Sequence, residues 1–144
     1  MPNVVRLKEQ LQRNTVALIS LVVAITSLGY NTWRNEASEH NRNQRLVSVE
    51  ILRNLGELRQ VVLYSHYDGD EGKGDTKTGW SLVLTIRDLS TLLEEPLPDS
   101  GTRLWKVWEA DFDGLGSDEE SVARINESLE AVREDTHTLL QSLD

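Results

Sequence analysis

The sequence predicts an all-α protein: a single N-terminal transmembrane helix continues into a juxtamembrane helix, and a small antiparallel helical bundle follows. Three observations predict this fold. Residues 14–33 carry no charged side chain, apolar residues recur at steps of three and four along the rest of the chain, and no segment has the alternation of a strand. The 144 residues suffice for one small domain. The absence of cysteine excludes a disulfide scaffold, a cysteine nucleophile and a thiolate zinc site.

Charge divides the chain into segments. Residues 1–13 carry three basic and one acidic side chain, whereas residues 34–144 carry 12 basic and 23 acidic ones. The net charge of −9 argues against nucleic acid as the main partner. We therefore expect a basic tail at 1–13, a transmembrane helix at 14–33, a polar juxtamembrane helical segment at 34–46 and an acidic helical domain at 47–144.

The uncharged segment has the length and the ends of a membrane span. Its apolar centre runs from Val16 to Leu28, and a helix needs about 20 mostly apolar residues to cross a bilayer. Tyr30 and Trp33 lie at its end, where aromatic side chains favour the headgroup layer. Its polar residues favour the alternative of a buried core helix, but so small a chain has little protein to bury it in. No small-x-small cleavage site follows the apolar run, which disfavours a cleaved signal peptide.

The orientation of this span depends on the basic residues that flank it. Three of them precede it and three follow it closely, so the positive-inside count is a tie. A free amino group adds one positive charge to the tail and favours a cytoplasmic tail. The soluble domain is then expected on the periplasmic side or outside the cell.

The first part of the bundle is predicted to be the continuation of the same helix. Residues 34–46 contain neither Pro nor Gly, which favours a solvated helix, with a flexible linker as the alternative. An amphipathic helix then runs to about Tyr67, and Gly56 within it suggests a close helix crossing. Four glycines in residues 68–79 predict a loop. The apolar face of this helix comprises Val47, Ile51, Leu55, Leu58 and Val62.

Two shorter helices are predicted next. The first runs from Trp80 to Glu94 and is ended by Pro96 and Pro98. Ser100 is the predicted N-cap of the second, at about 101–113. Its inward side chains are expected to be Leu104, Trp105, Trp108 and Phe112.

The last predicted helix has the most regular apolar period in the chain. Gly114 and Gly116 end the preceding helix, and Ser117 with Glu120 forms a predicted capping box. The short connections predict that neighbouring helices are antiparallel. The apolar stripe comprises Val122, Ile125, Leu129, Val132, Thr136, Leu139 and Leu143.

One set of small residues within the transmembrane segment suggests a packing face. These residues recur at steps of three and four, which places them on one side of a helix, where small side chains let helix backbones approach closely in lipid. Chance spacing in a mildly apolar helix is the alternative. This small-residue face comprises Ala17, Ser20, Ala24, Ser27 and Asn31.

Three tryptophans form the second candidate site. Trp80, Trp105 and Trp108 are expected to lie in the core of the bundle, with an interaction groove for a ligand or partner as the alternative interpretation.

Acidic turns and histidines offer weaker signals. Asp68 and Asp70 match only the first two positions of a calcium loop, and Gly79 stands where the bidentate glutamate belongs. Asp111 and Asp113 fit a second such pattern, in which Gly116 and Glu119 also match but Leu115 and Val122 break two ligand positions. A solvated acidic turn with a helix cap is the preferred interpretation. The histidines, His40, His66 and His137, lack the spacing of a helical metal site. His66, with Asp68 nearby, is a candidate for one half of an acid–base pair.

No catalytic or cofactor-binding motif occurs, so we expect no enzyme activity and no cofactor. The stretches RNTVALISLVVAITSLGYNTWRNEASEHNRN, LGELRQVVLYSHYDGD and GWSLVLTIRDL resemble small bacterial single-pass membrane proteins of uncharacterised role, over about residues 12–90. The resemblance implies a membrane anchor with a helical soluble part and transfers no functional residue.

Two functional hypotheses follow. The first is a membrane-anchored interaction protein, either an accessory or scaffold subunit of a membrane assembly or a homo-oligomer. The alternative is a small single-pass sensor whose helical domain binds a ligand or an ion.

Overall fold

The computed structural model describes the backbone of residues 2–68 and 75–143, and the side chains of residues 14–66 and 75–143. Over this part of the chain the fold is all-α, without a strand. The four α-helices are α1 (Pro2–Leu63), α2 (Thr76–Ser90), α3 (Leu97–Asp111) and α4 (Glu119–Ser142). A π-helical turn, Tyr64–Asp68, follows α1, and a 3-10 turn, Phe112–Gly114, follows α3.

The chain forms two compact units, divided between His40 and Asn41. In the first unit, every described side chain from Asn14 to His40 is exposed. The predicted helix at 14–33 and the helical interpretation of 34–46 are both confirmed, because α1 is continuous over these residues.

The second unit is a helical bundle with one hydrophobic core. Helix α3 packs against α2 and α4. Helix α1 contacts α4 through an ion pair, in which Arg59 Nη2 lies 3.3 Å from Glu130 Oε2. Near the end of α4, Arg45 Nη2 donates a hydrogen bond of 2.6 Å to the carbonyl of Leu143. The apolar stripes predicted for α1 and α4 are confirmed. The side chains of the core that are less than 2% exposed include Ile51, Leu55, Leu58, Val62, Val83, Ile86, Leu97, Leu104, Trp108, Ile125 and Val132.

Helix α2 differs from its prediction at both ends. It begins at Thr76 rather than Trp80, because the side chain of Asp75 accepts a hydrogen bond of 3.0 Å from the amide of Lys77 and caps the helix. The predicted loop at 68–79 was therefore too long. The helix ends at Ser90 rather than Glu94.

Helix α3 begins earlier than predicted. It starts at Leu97, and Pro98 lies in its first turn, where a missing amide hydrogen costs nothing. Ser100 is therefore not an N-cap. Its buried hydroxyl lies within the helix and hydrogen-bonds to the carbonyl of Pro96 and to the carboxylate of Asp135 on α4.

The capping box predicted for α4 is also wrong. Asp118 is the N-cap, and its carboxylate accepts hydrogen bonds from the amides of Glu120 and Ser121 at 3.3 and 3.2 Å. An ionised carboxylate is a stronger acceptor for these amides than the hydroxyl of Ser117, and it complements the helix dipole.

The close helix contacts occur at glycines other than the predicted one. A Cβ at Gly79 would overlap the indole ring of Trp108, and one at Gly101 would lie 2.7 Å from the Cβ of Ser90. Among the described residues outside the helix turns around Gly56, none places an atom within 4 Å of the corresponding position there, so the predicted close crossing is wrong for this part of the chain.

Candidate functional site

The first candidate surface is the apolar segment of α1. None of its apolar window is buried, and by length and composition α1 is the one helix in the described part of the chain that could cross a membrane. Its polar groups are partly satisfied within the helix. The hydroxyls of Thr26 and Thr32 donate hydrogen bonds of 2.8 and 3.0 Å to the carbonyls of Val22 and Leu28. Such bonds lower the cost of placing a hydroxyl in lipid.

The small-residue face lies on this exposed segment. At 100° per residue, its five members occupy an arc of about 80° on the helix. All five are exposed, including Ala17 and Asn31 at its ends. Helix α1 therefore brings them to one side, as predicted, and the structure leaves that side open.

A second row, exposed except at the half-buried Gly56, lies on α1 within the bundle unit, and sequence reasoning missed it. At 100° per residue its members cover an arc of about 100°, centred about 170° from the side that faces the core. Leu46, Val49 and Leu63 in this row are 61%, 59% and 45% exposed. The row, which we call the outer stripe, comprises Leu46, Val49, Arg53, Gly56, Gln60 and Leu63.

The spacing of the outer stripe is a signal that the sequence contains. Its steps of three, four, three, four and three are those of a coiled-coil interface. This spacing is hard to recognise in the sequence because Arg53 and Gln60 interrupt the apolar residues. In addition, Leu46 was assigned to the polar juxtamembrane segment at 34–46.

Charged side chains border the outer stripe. Glu50 and Glu57 lie along one edge, and Arg45 and Arg59 along the other. Within the stripe, Arg53 Nε donates a hydrogen bond of 3.2 Å to Glu57 Oε1, and its Nη1 lies 3.7 Å from Glu50 Oε2. These carboxylates raise the pKa of Arg53 above its usual value, chiefly through the hydrogen bond to Glu57.

The three tryptophans do not form a common surface. Trp108 is fully buried in the core, where Gly79 makes room for its ring. Trp80 and Trp105 are partly buried at the edge of the core. The ring of Trp80 packs edge-on against Phe112 with centroids 5.4 Å apart, and the guanidinium of Arg87 lies 5.3 Å from the ring centroid of Trp105.

Two surface grooves lie between helices, and the tryptophans line neither. The groove between α1 and α2 is bordered by Gln60, Tyr64 and Thr78, and the groove between α3 and α4 by Arg103 and Glu127.

The acidic turn at 111–119 is an ion-pair network. Asp111 is 11% exposed, and Arg124 Nη2 donates a hydrogen bond of 2.6 Å to its Oδ1. Arg124 and the hydroxyl of Ser121 lower the pKa of Asp111, against the opposing effect of its burial. The hydrogen bonds that cap α4, led by that from the Ser121 hydroxyl, lower the pKa of Asp118.

This network engages the carboxylate at the first position of the calcium-loop pattern, Asp111. The carboxylate that would be the first calcium ligand instead accepts hydrogen bonds from Arg124 and Ser121. No group of three or more potential metal ligands occurs among the residues that the structure describes.

The remaining predicted positions lie apart. His66 Nδ1 lies 3.0 Å from the carbonyl oxygen of Leu115, whereas the side chain of Asp68 and all of Asp70 lie outside the described residues. His40 is exposed on α1 and His137 is exposed on α4.

Comparison with protein-family models, with curated proteins and with solved structures finds no match to this chain.

Proposed function

We propose that this chain is a membrane-anchored helical interaction protein of the bacterial inner membrane, acting as an accessory or scaffold subunit of a membrane assembly or as a homo-oligomer. The observation that carries the proposal is the exposure of the apolar segment of α1. From Val16 to Leu28 its large apolar side chains are 56% to 70% exposed. An apolar surface of this kind is unfavourable in water and marks a contact with lipid or protein.

The composition of the segment favours lipid as its main environment. It has no charged residue over 20 positions, and Tyr30 and Trp33 at its end are exposed, with ring centroids 6.2 Å apart. Aromatic side chains of this kind are enriched at the edges of membrane spans. With a single membrane span, the bundle is the part of the chain that is available to bind partners in the aqueous phase.

We propose that the bundle provides surfaces for binding. The Asp111 carboxylate is engaged by Arg124, and His66 lies against a backbone carbonyl. The excess of acidic side chains in residues 34–144 favours a basic partner surface and disfavours anionic lipid headgroups. We place the bundle on the periplasmic side, following the positive charge of the tail.

Two experiments test the proposal on the full-length chain. Membranes from expressing cells are extracted with alkaline carbonate and, separately, with detergent. We expect the chain to stay in the carbonate pellet and to be released by detergent, and release by carbonate alone would contradict the anchor. Protease added to intact spheroplasts is expected to digest the bundle, and full protection of the bundle would place it in the cytoplasm.

The interaction role is tested by chemical crosslinking in membranes, followed by affinity purification of the tagged chain and mass spectrometry. A stoichiometric foreign protein identifies an accessory or scaffold subunit, and crosslinks between copies alone identify a homo-oligomer. A chain that stays monomeric and uncrosslinked would overturn the interaction role.

A further inference from the structure

We propose that the outer stripe of α1 binds the outer stripe of a second copy of this chain, with the two helices parallel. The inference rests on the proposed function, because it takes the homo-oligomer as the assembly and names the surface through which two copies bind. It concerns the bundle unit and the stripe from Leu46 to Leu63.

The exposed apolar side chains of the stripe are the first argument. Leu46, Val49 and Leu63 occupy the positions at which a coiled coil places its interhelical contacts, and each is 45% or more exposed. Ile51, Leu55 and the other core-facing residues lie on the opposite side of α1, so the bundle leaves these three side chains uncovered.

Gly56 supplies an independent argument. A glycine within a helix is less favourable than alanine, and it allows a neighbouring helix to approach closely. Gly79 and Gly101 have close neighbours, whereas none of the described residues outside the helix turns around Gly56 lies within 4 Å of a Cβ placed there. Because Gly56 lies in the outer stripe, a second helix that approaches there explains a glycine that the bundle itself does not require.

In a parallel coiled coil, the residue just before the first contact position of each heptad lies opposite the residue five positions later in the partner helix. Charged side chains at these two flanking positions set the relative orientation of the helices.

Charge complementarity favours the same parallel arrangement. Arg45 of one copy lies opposite Glu50 of the second copy, which pairs opposite charges twice in the symmetric dimer. The guanidinium of Arg45 already donates to Leu143, but its five N–H donors suffice for two acceptors. An antiparallel pairing of the same stripe instead brings Glu50 opposite Glu57, which is repulsive.

Arg53 limits the strength of the pairing and helps to define it. In the parallel register the two copies of Arg53 meet in one layer, which costs stability. The ion pairs of each Arg53 with Glu50 and Glu57 of its own chain offset part of this repulsion. Gln60 forms a second polar layer in the same register, and polar layers of this kind specify register at the expense of stability.

The test uses the absence of cysteine, which makes single-cysteine variants of the full-length chain unambiguous. The chain is reconstituted in lipid vesicles at a low protein-to-lipid ratio and oxidised with copper phenanthroline. Val49→Cys should form disulfide-linked dimers several-fold faster than Ala123→Cys, an exposed control on α4. Equal rates for the two variants would overturn the proposal.

A mixture of two differently tagged copies, Leu46→Cys and Leu63→Cys, tests direction. Parallel pairing separates these residues by most of the stripe, so little mixed dimer is expected. Mixed dimers that form faster than the Val49→Cys dimer would overturn the parallel register.

A charge variant tests the predicted contact between Arg45 of one copy and Glu50 of the other. In the Val49→Cys background, Glu50→Lys should slow disulfide formation several-fold, because it places a lysine opposite Arg45. Glu109→Lys, the same change at an exposed position on α3, should not. An equal effect of the two variants would contradict the Arg45–Glu50 pairing.

These outcomes separate the inference from the proposed function. A chain that resists carbonate extraction and captures a foreign protein, but whose Val49→Cys variant does not crosslink, refutes only the inference. Release of the chain by carbonate refutes only the anchor, and the relative crosslinking rates of Val49→Cys and Ala123→Cys still decide the inference.

Discussion

The two units of this chain use the same apolar residue types in opposite ways. In the first unit, Leu18, Val22 and Ile25 are each about 60% exposed, whereas in the bundle Leu104, Val132 and Ile125 are fully buried. Folding of the bundle is driven by removing its apolar side chains from water. The described side chains of the first unit, from Asn14 to His40, are all exposed, so their apolar members gain no such burial within that unit.

The comparison predicts different effects for the same substitution in the two units. Trp108 is fully buried and Trp33 is 66% exposed. Trp108→Ala should lower the free energy of unfolding of the bundle by about 3–5 kcal/mol, because it leaves a cavity in the core. Urea unfolding of the full-length chain in detergent micelles, followed by circular dichroism, measures this effect. Trp33→Ala is the matched control, and equal losses for both would contradict the division into two environments.

A charge placed in the first unit should act on membrane insertion instead. Val22→Arg puts a guanidinium near the centre of the apolar segment, at a cost of about 3 kcal/mol in insertion free energy. We expect a larger carbonate-extractable fraction, with bundle unfolding unchanged. Asn14→Arg adds the same charge at the edge of the segment and should remain in the pellet. An unchanged pellet fraction for Val22→Arg would contradict a membrane-embedded centre.

Two glycines sharpen the comparison within the bundle. Gly79→Ala forces a methyl group against the ring of Trp108 and should destabilise the bundle by about 1–3 kcal/mol. The methyl group of Gly56→Ala meets none of the described residues outside its own helix turns, and the substitution should raise the helical stability of the monomeric protein by up to about 1 kcal/mol. Urea unfolding in excess detergent, which separates copies, measures both. If both substitutions changed the free energy of unfolding in the same direction, the description of Gly79 as closely packed and of Gly56 as open would be wrong.

The smallest expected effect is a pH dependence confined to the bundle. The pKa of Asp111 is lowered in the folded chain, so the ionised carboxylate contributes stability above its unfolded pKa of about 3.9. This contribution is lost as the pH falls through the lower folded value. Stability should therefore decrease below about pH 4, and less steeply in Asp111→Asn. Unfolding midpoints between pH 2 and 7 measure the slope, with the exposed Asp113→Asn as control.

The sequence was sufficient to predict elements that depend on apolar periodicity. The steps from Ile51 to Val62 and from Val122 to Thr136 match the buried faces of α1 and α4. It was insufficient for boundaries that depend on one side chain. Asp75 and Asp118 outcompete nearby alternatives as caps.

Tertiary context accounts for the rest of what the sequence did not predict. Trp108 can be fully buried only because Gly79, on another helix, leaves space for its ring. Asp111 is paired with Arg124, 13 positions away, which turns an acidic pattern into a structural ion pair. The outer stripe escaped prediction because exposure, rather than composition, distinguishes Leu46 and Val49 from core residues.

The most direct test of the central claim measures the environment of the apolar segment itself. A nitroxide attached to Val22→Cys in the full-length chain, reconstituted in lipid vesicles, is examined by electron paramagnetic resonance with oxygen and with a water-soluble nickel chelate. A label in the hydrocarbon core should be relaxed strongly by oxygen and weakly by the chelate, and a label at Ala123→Cys in the bundle should show the reverse. Strong relaxation of the Val22→Cys label by the chelate would contradict the assignment of this segment to the membrane.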